Sequence, residues 1–389
     1  MNPKTGEVLA IASRPSFDPS NYEDYSTETI NRNLPIWMTY EPGSTFKIIT
    51  LATALEENLV DLEEEHFYDG GAVTVGGATI HCWKHGGHGD QTFLQVVENS
   101  CNPGFVDLGL RIGKETLFNY IDNFGFGEVT GIDLNGEASG IIFDIDKIGD
   151  LELATTSFGQ GVSVTPIQQV TAVSAAINGG TLYTPYIVKS LNEPETNSII
   201  VNNEPNVVRK VISENTSAKV RYALESVVAN GTGRNAYIAN YRVGGKTGTA
   251  QKVQDGKYLV GNYITSFMGF LPADDPEVVV YVAIDNAKGV TQYGGTIAAP
   301  IAKNVLNAAI SALEIEERYD GMTKEYNYGD KRYYTLPNVV GMDTKEAVTN
   351  LKPFKVEFSG SGSKVIYQSP SANSYMQEGE VVRLMLGGD

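Results

Sequence analysis

Residues 40–58 read YEPGSTFKIITLATALEEN, and they pose a problem of burial. From Ser44 onward the apolar positions Phe46, Ile49, Leu51, Ala52 and Leu55 leave no clean polar stripe. That is the pattern of a helix covered on most sides, not of an amphipathic surface helix. Pro42 and Gly43 stop any preceding element, and Ser44 and Thr45 are good helix-start residues, so the plainest reading makes Ser44 the helix cap. Lys47 is left unexplained, because an ammonium group inside a buried helix is costly unless it is paired or loses its proton. Three residues apart, Ser44 and Lys47 share a face, which lets an amine whose pKa burial has lowered take the serine proton.

The chain of 389 residues is too long for one ordinary core, and two or three domains are expected. A formal charge of -18 argues against nucleic acid and anionic membrane surfaces as partners. The longest strongly apolar runs, such as VVVYVAI at 278–284, fall far short of a membrane span, and the first residues read as a turn and a strand, so neither signal nor anchor is expected in this chain, which reads as soluble. Two cysteines, Cys82 and Cys101, cannot form a disulfide scaffold. Both lie between residues 66 and 101 together with every histidine, His66, His81, His85 and His88, and that clustering needs a reason.

After the buried helix, the Gly76-Gly77 pair between β-prone runs signals a hairpin. Helical patterns follow at 92–122, 165–178 and 215–230. From 241 the character changes to strands, YRVGGKTGTAQKV, YITSFMGFLP and EVVVYVAID, closed by a last helical run at 296–315. The reading is an α+β domain over 1–315 with an antiparallel sheet whose strands come late, a tyrosine-rich linker at 316–335, and a small unit of one helix and several strands at 336–389.

Three short pieces belong side by side: STFK at 44–47, SCN at 100–102 and KTGT at 246–249. Each is weak alone, and Ser100 and Asn102 by themselves could be turn residues before Pro103. A phosphate-loop reading of GGKTGT fails, since the position five before Gly245 is Asn240 and strand follows instead of helix. In this order the three resemble the SxxK, SxN and KTG motifs of penicillin-binding proteins. With PSFDPSNY, EPGSTFK, SFGQGVSVTPIQ at 157–168, NGG at 178–180 and GGKTGTAQK, the span 1–315 looks like the transpeptidase domain of a class B penicillin-binding protein. The tail, with LPNVVGMDTKEAVTNL and QSPSANSYMQEGEVVRLML, is similar to a PASTA domain, and one such domain at this end most resembles the sporulation-specific type.

The resemblance implies a peptidoglycan DD-transpeptidase with Ser44 as nucleophile and Lys47 as its base. Ser100 would relay the proton to the leaving amine and Asn102 would hold the substrate amide, while Lys246, Thr247, Gly248 and Thr249 would form the strand that receives the peptide's terminal carboxylate. The Ser44 and Thr249 N–H groups are the expected oxyanion donors. No cofactor is required for this chemistry. The expected partners are stem peptides, β-lactams and a glycosyltransferase. A membrane anchor and pedestal domain outside this chain would hold the protein on the outer face of the cytoplasmic membrane, in the forespore intermembrane space for the sporulation type. Alternatives are a division or elongation enzyme, a β-lactamase or DD-carboxypeptidase that passes the acyl group to water, and a non-catalytic β-lactam sensor.

The family commonly carries CW followed by GGHG before the SxN element, which implies a structural role for Cys82 and His88. His85 between them makes Cys-x2-His-x2-His, a spacing that can place three ligands on one ion. Pairing Val75 with Ala78 across the Gly76-Gly77 turn sets Asp69 opposite Lys84, making Asp69 the expected fourth ligand ahead of Asp90 and His81. A structural zinc on Asp69, Cys82, His85 and His88 is the resulting expectation, against a reduced cysteine and hydrogen-bonded histidines with no metal.

Overall fold

A computed structural model describes residues 1–254, 256–324 and 333–388. The chain divides into two compact units, Met1–Lys324 and Glu325–Asp389.

The helix read from residues 40–58 is α1 (Lys47–Glu56), and every position from Lys47 to Leu55 is buried. Phe46, Ile48, Ile49, Leu51 and Leu55 each contribute about 1.5–3 kcal/mol of burial, enough together to offset one desolvated lysine. Around α1 pack α2 (Phe93–Glu98), α3 (Asn102–Ile112), α4 (Pro166–Ile177) and α5 (Glu214–Ala229), which share one core. The helical pattern expected over 92–122 is therefore interrupted, once at Ser100 and again at Gly113 before the helix Lys114–Asn123.

Between α1 and α2 run four short strands: β1 (His66–Asp69), β2 (Ala72–Val75), β3 (Ala78–His81) and β4 (Gly89–Thr92). The β2–β3 hairpin turns at Gly76-Gly77 with Val75 opposite Ala78, as read from sequence, but its ladder ends at Ala72 opposite His81. Asp69 belongs instead to β1, where it stands opposite Gly89 of β4.

The late strands β5 (Gly244–Gln254), β6 (Lys257–Leu271) and β7 (Val278–Asp285) form an antiparallel sheet in the order β7–β6–β5. Successive side chains of a strand point to opposite faces. Met268 and Phe270 accordingly join the α1 core, while Phe267 and Leu271 join a second core with Ala298, Ala302 and Leu306 of α6 (Gly294–Leu313). α6 is long and apolar enough to cross a membrane by composition, yet these residues pack it onto the sheet.

Of the expected linker 316–335, residues 325–332 lie outside the described residues. Residues before them pack on the first unit, where the Met322 N–H donates to Glu225 Oε1 at 3.0 Å and Arg242 bridges Glu225 and Asp320. The second unit holds α7 (Thr344–Asn350), with Asp343 as its side-chain cap, and the strands β8 (Lys355–Gly360), β9 (Lys364–Ser369) and β10 (Val381–Gly387). Their order is β8–β10–β9, over a core of Leu336, Val339, Leu351, Val365, Val382 and Leu384.

Candidate active site

Ser44 lies in a tight 3-10 turn, Gly43–Thr45, which is tied down by Gly43 N–H donating to Gly159 O at 2.9 Å and Thr45 Oγ1 donating to Pro42 O at 2.9 Å. Helix α1 starts only at Lys47, and no side chain caps either the turn or the helix. The expected capping role of Ser44 is thus not what its hydroxyl does. Ser44 is half-buried, one turn ahead of a lysine that is fully buried.

Lys47 Nζ donates to Ser100 O at 2.8 Å, to Asn102 Oδ1 at 2.7 Å and to Ser100 Oγ at 3.3 Å, with the Phe105 ring 5.1 Å away. Burial brings its pKa down to about 7, with the neighbouring Cys101 and Cys82 pushing the other way. At neutral pH a large share of the amine is therefore uncharged.

Ser100 lies just past the end of α2 in the left-handed conformation, φ +52°, and Cys101 is the cap position of α3, so SCN forms the turn between the two helices. Lys246 Nζ reaches across from β5 to donate to Ser100 Oγ at 2.7 Å and to Thr247 O at 3.2 Å. Burial, then the charge of Lys47, drives the Lys246 pKa well below its ordinary value. The Asn102 amide is engaged at both ends, accepting from Lys47 and donating from Nδ2 to His81 O at 3.2 Å.

β5 is the edge strand of its sheet, so alternate backbone groups of KTGT face away from β6. Gly248 allows the close approach to the Ser44 turn, since a Cβ there would lie 2.3 Å from Ser266 Oγ and 3.0 Å from Thr45 Cγ2. Thr249 Oγ1 accepts from the Gly294 N–H at 3.1 Å. The Thr247 hydroxyl meets that of Thr232 at 3.0 Å, and Thr232 N–H donates to Glu98 O at 3.0 Å. Thr232 went unnoticed in the sequence, where GTG after α5 reads only as a helix breaker.

Of the expected metal ligands, Asp69, Cys82 and His88 come together and His85 does not. His88 Nδ1 lies 2.9 Å from Asp69 Oδ2 and 3.3 Å from Cys82 Sγ. The fourth donor in the group is Cys101, and the four donor atoms lie within 4.8 Å of one another. His85 is exposed on the loop between β3 and β4. The correction follows from the pairing of β1 with β4, which brings Asp69 toward His88 and the start of α3. Asp90 bonds His66 at 2.9 Å, and His81 is exposed.

A serine in the turn that leads into a lysine-bearing helix, a second serine shared by two buried amines and a glycine-flanked edge strand define the class of serine-active penicillin-recognising domains. The sequence matches the penicillin binding protein transpeptidase domain over residues 1–307 and the PASTA domain over 334–388, and the chain belongs to the penicillin-binding protein transpeptidase family. It is 58% identical over 386 residues to stage V sporulation protein D of Bacillus subtilis, covering 99% of this chain and 60% of that protein. It is 31% identical over 334 residues to the peptidoglycan D,D-transpeptidase FtsI of Escherichia coli K12, covering 85% and 53%. Among solved structures, penicillin binding protein 3 of Mycobacterium tuberculosis complexed with ampicillin is similar, with a TM-score of 0.75 at 30% identity over 84% of this chain and 75% of that one. The chain thus spans about half to three fifths of the length of these two curated relatives.

Proposed function

We propose that this chain carries the catalytic domain of a peptidoglycan DD-transpeptidase acting in sporulation, which cross-links stem peptides through an acyl-enzyme on Ser44. The observation that carries it is the pair of buried amines on one hydroxyl, Lys47 at 3.3 Å and Lys246 at 2.7 Å from Ser100 Oγ, beside a serine not used as a cap. Neutral Lys47 takes the Ser44 proton as Oγ attacks the carbonyl of the D-Ala-D-Ala bond, forming the C–O bond and an oxyanion toward the N–H groups of Ser44 and Thr249. Collapse breaks the C–N bond, and the departing amine receives its proton by way of Ser100, which Lys47 and Lys246 both contact. An acceptor amine then takes the acyl group and restores Ser44. Asn102 holds Lys47 in place in the free protein and turns its amide to the substrate on binding. Lys246, Thr247, Gly248 and Thr249 receive the terminal carboxylate, the peptide lying along the open edge of β5.

The sporulation assignment is supported by the stage V relative. The reading also includes a membrane anchor in sequence outside this chain, an extracytoplasmic location, a glycosyltransferase that supplies glycan strands, and a structural zinc ion behind the Ser100 loop with no part in acyl transfer. The test is to incubate the protein with fluorescent penicillin and follow the label on Ser44. Stable labelling, with D-Ala release from a donor peptide only in the presence of an acceptor amine, is the expected result. Rapid turnover of penicillin with recovery of free enzyme would make it a hydrolase.

A further inference from the structure

We propose that Glu41 is a specificity-determining residue of the donor site, where its carboxylate receives the side-chain ammonium of the stem-peptide residue that precedes D-Ala-D-Ala. The inference rests on the transpeptidase reading of Ser44 and deepens it by naming the chemistry of a second contact with the donor, an aliphatic arm that ends in a primary amine.

Glu41 stands three residues before Ser44, so the two backbones are within about 11 Å of each other. One carboxylate oxygen is occupied: Oε1 accepts from the Gly161 N–H at 2.8 Å and from the Tyr258 hydroxyl at 3.2 Å. The other, Oε2, is buried and has no hydrogen-bond partner among the described residues. Burial raises the Glu41 carboxyl above its ordinary range, the Gly161 and Tyr258 bonds oppose that shift, and no cation takes part. A sheltered carboxylate oxygen without a partner is costly, and the group that relieves it best is a cation that also donates a hydrogen bond.

The position of Glu41 along the substrate strand decides which part of the donor it meets. With the terminal carboxylate at Lys246–Thr249 and the scissile carbonyl between Ser44 and the Thr249 N–H, the upstream residue lies beside the later part of β5. Glu41 is at that end. Gly43 packs so closely on β5 that a Cβ there would lie 3.1 Å from Ala250 Cβ, and Tyr258, which bonds Glu41, is the cross-strand partner of Val253. A peptide running antiparallel along the open edge of β5 therefore brings the residue before D-Ala-D-Ala past Ala250, with its side chain within reach of Glu41.

The surroundings suit such an arm. On one side, Gly161 holds Glu41 and abuts Phe143: at φ +81°, and with the Phe143 ring 2.7 Å from where a Cβ would stand, the position favours glycine. On the other side are Tyr258 and Val253. Phe143, Val253 and Tyr258 are 38%, 45% and 47% exposed, so apolar surface is open on both sides of a single buried charge. A methylene chain covers that surface while its ammonium pairs with Oε2, whereas a neutral arm leaves Oε2 unpaired. The contact is one of binding only, and the ammonium keeps its proton while Ser44 reacts.

The experiment compares two penicillins on the full chain, one with an aminohexanoyl side chain, which is a lysyl group without its α-amine, and its N-acetyl derivative. In a penicillin the acyl side chain precedes the reacting carbonyl as the upstream residue does in the stem peptide. Acylation of Ser44 is followed by competition with fluorescent penicillin. The free amine should be favoured about tenfold or more in the second-order rate, the range for a hydrogen bond to a charged group. The difference should lie in Kd, with the first-order acylation step alike within about twofold, because the ammonium is remote from the reacting atoms. Glu41→Gln, which keeps the shape of the side chain, should bring the ratio between the two compounds to about one. Equal rates in the unaltered protein overturn the proposal and leave the transpeptidase reading standing, since both compounds still acylate Ser44. A Glu41→Gln variant that slows both equally and keeps their ratio makes Glu41 a structural latch between Gly161 and Tyr258, and overturns it too. Failure of both penicillins to acylate Ser44 is instead a failure of the site's reading, and the proposal falls with it.

Discussion

Two buried polar clusters flank the Ser100–Asn102 loop, and they are built in opposite ways. In front, Lys47 and Lys246 are amines of one sign that are held by oxygens of Ser100, Asn102 and Thr247, and no carboxylate among the described residues bonds to either. Behind, Asp69, Cys82, His88 and Cys101 bring together an anion, two thiols and an imidazole. Desolvation acts on both, but the relief differs. The front cluster lowers its energy by giving up a proton, which turns a lysine into a base. The rear cluster instead sets its anion against the His88 ring and a thiol, a donor set suited to a cation. The secondary structure matches: the amines sit on α1 and β5, long elements packed by two cores, whereas Asp69, Cys82 and His88 sit at the ends of four-residue strands that could not fix a register alone.

The front cluster breaks most completely at its nucleophile. Ser44→Ala should abolish acylation by fluorescent penicillin, a loss on the order of 10³-fold or more, while the Tm shifts little because the hydroxyl is partly exposed and caps nothing. Labelling retained by the variant would place the nucleophile elsewhere. Lys47→Met should cost about 10²–10⁴-fold in acylation rate, the range for loss of a positioned general base.

Deprotonation of Lys47 also gives the pH dependence a sign. Lys47 has a folded pKa near 7, below its ordinary value of 10.5, so the amine becomes competent as pH rises through about 7, and acylation should climb across that window and level off above it. Stability runs with the same sign, because between about 7 and 10.5 the unfolded chain binds the extra proton, and this group's penalty shrinks as pH rises. A flat pH–rate profile from pH 5 to 9 in stopped-flow acylation would break the assignment of Lys47 as base.

The smallest effect expected lies away from both clusters. Deleting 336–389 should change the acylation rate by less than about twofold, since the second unit has its own core and the motif residues all lie in the first. A larger loss would make the tail part of the catalytic unit.

Much of this was legible from residue order alone. The buried character of α1, the Val75–Ala78 hairpin register and the late antiparallel strands follow from periodicity and turn chemistry, which act over a few residues. SxxK, SxN and KTG likewise announce themselves, because each is a local string. What tertiary structure decided is what those strings meet. Lys246 reaches Ser100 across 146 positions, and Thr232 joins Thr247 only because α5 ends against β5. The rear cluster shows the limit most plainly. The Cys-x2-His-x2-His spacing selected His85, and the hairpin register that selected Asp69 was extended past its real end at Ala72–His81, whereas the nonlocal pairing of β1 with β4 delivers His88 and Cys101 to Asp69. A ladder's length is set by what packs beside it, so where it stops, and which donor ends up fourth, is settled only when the whole core closes.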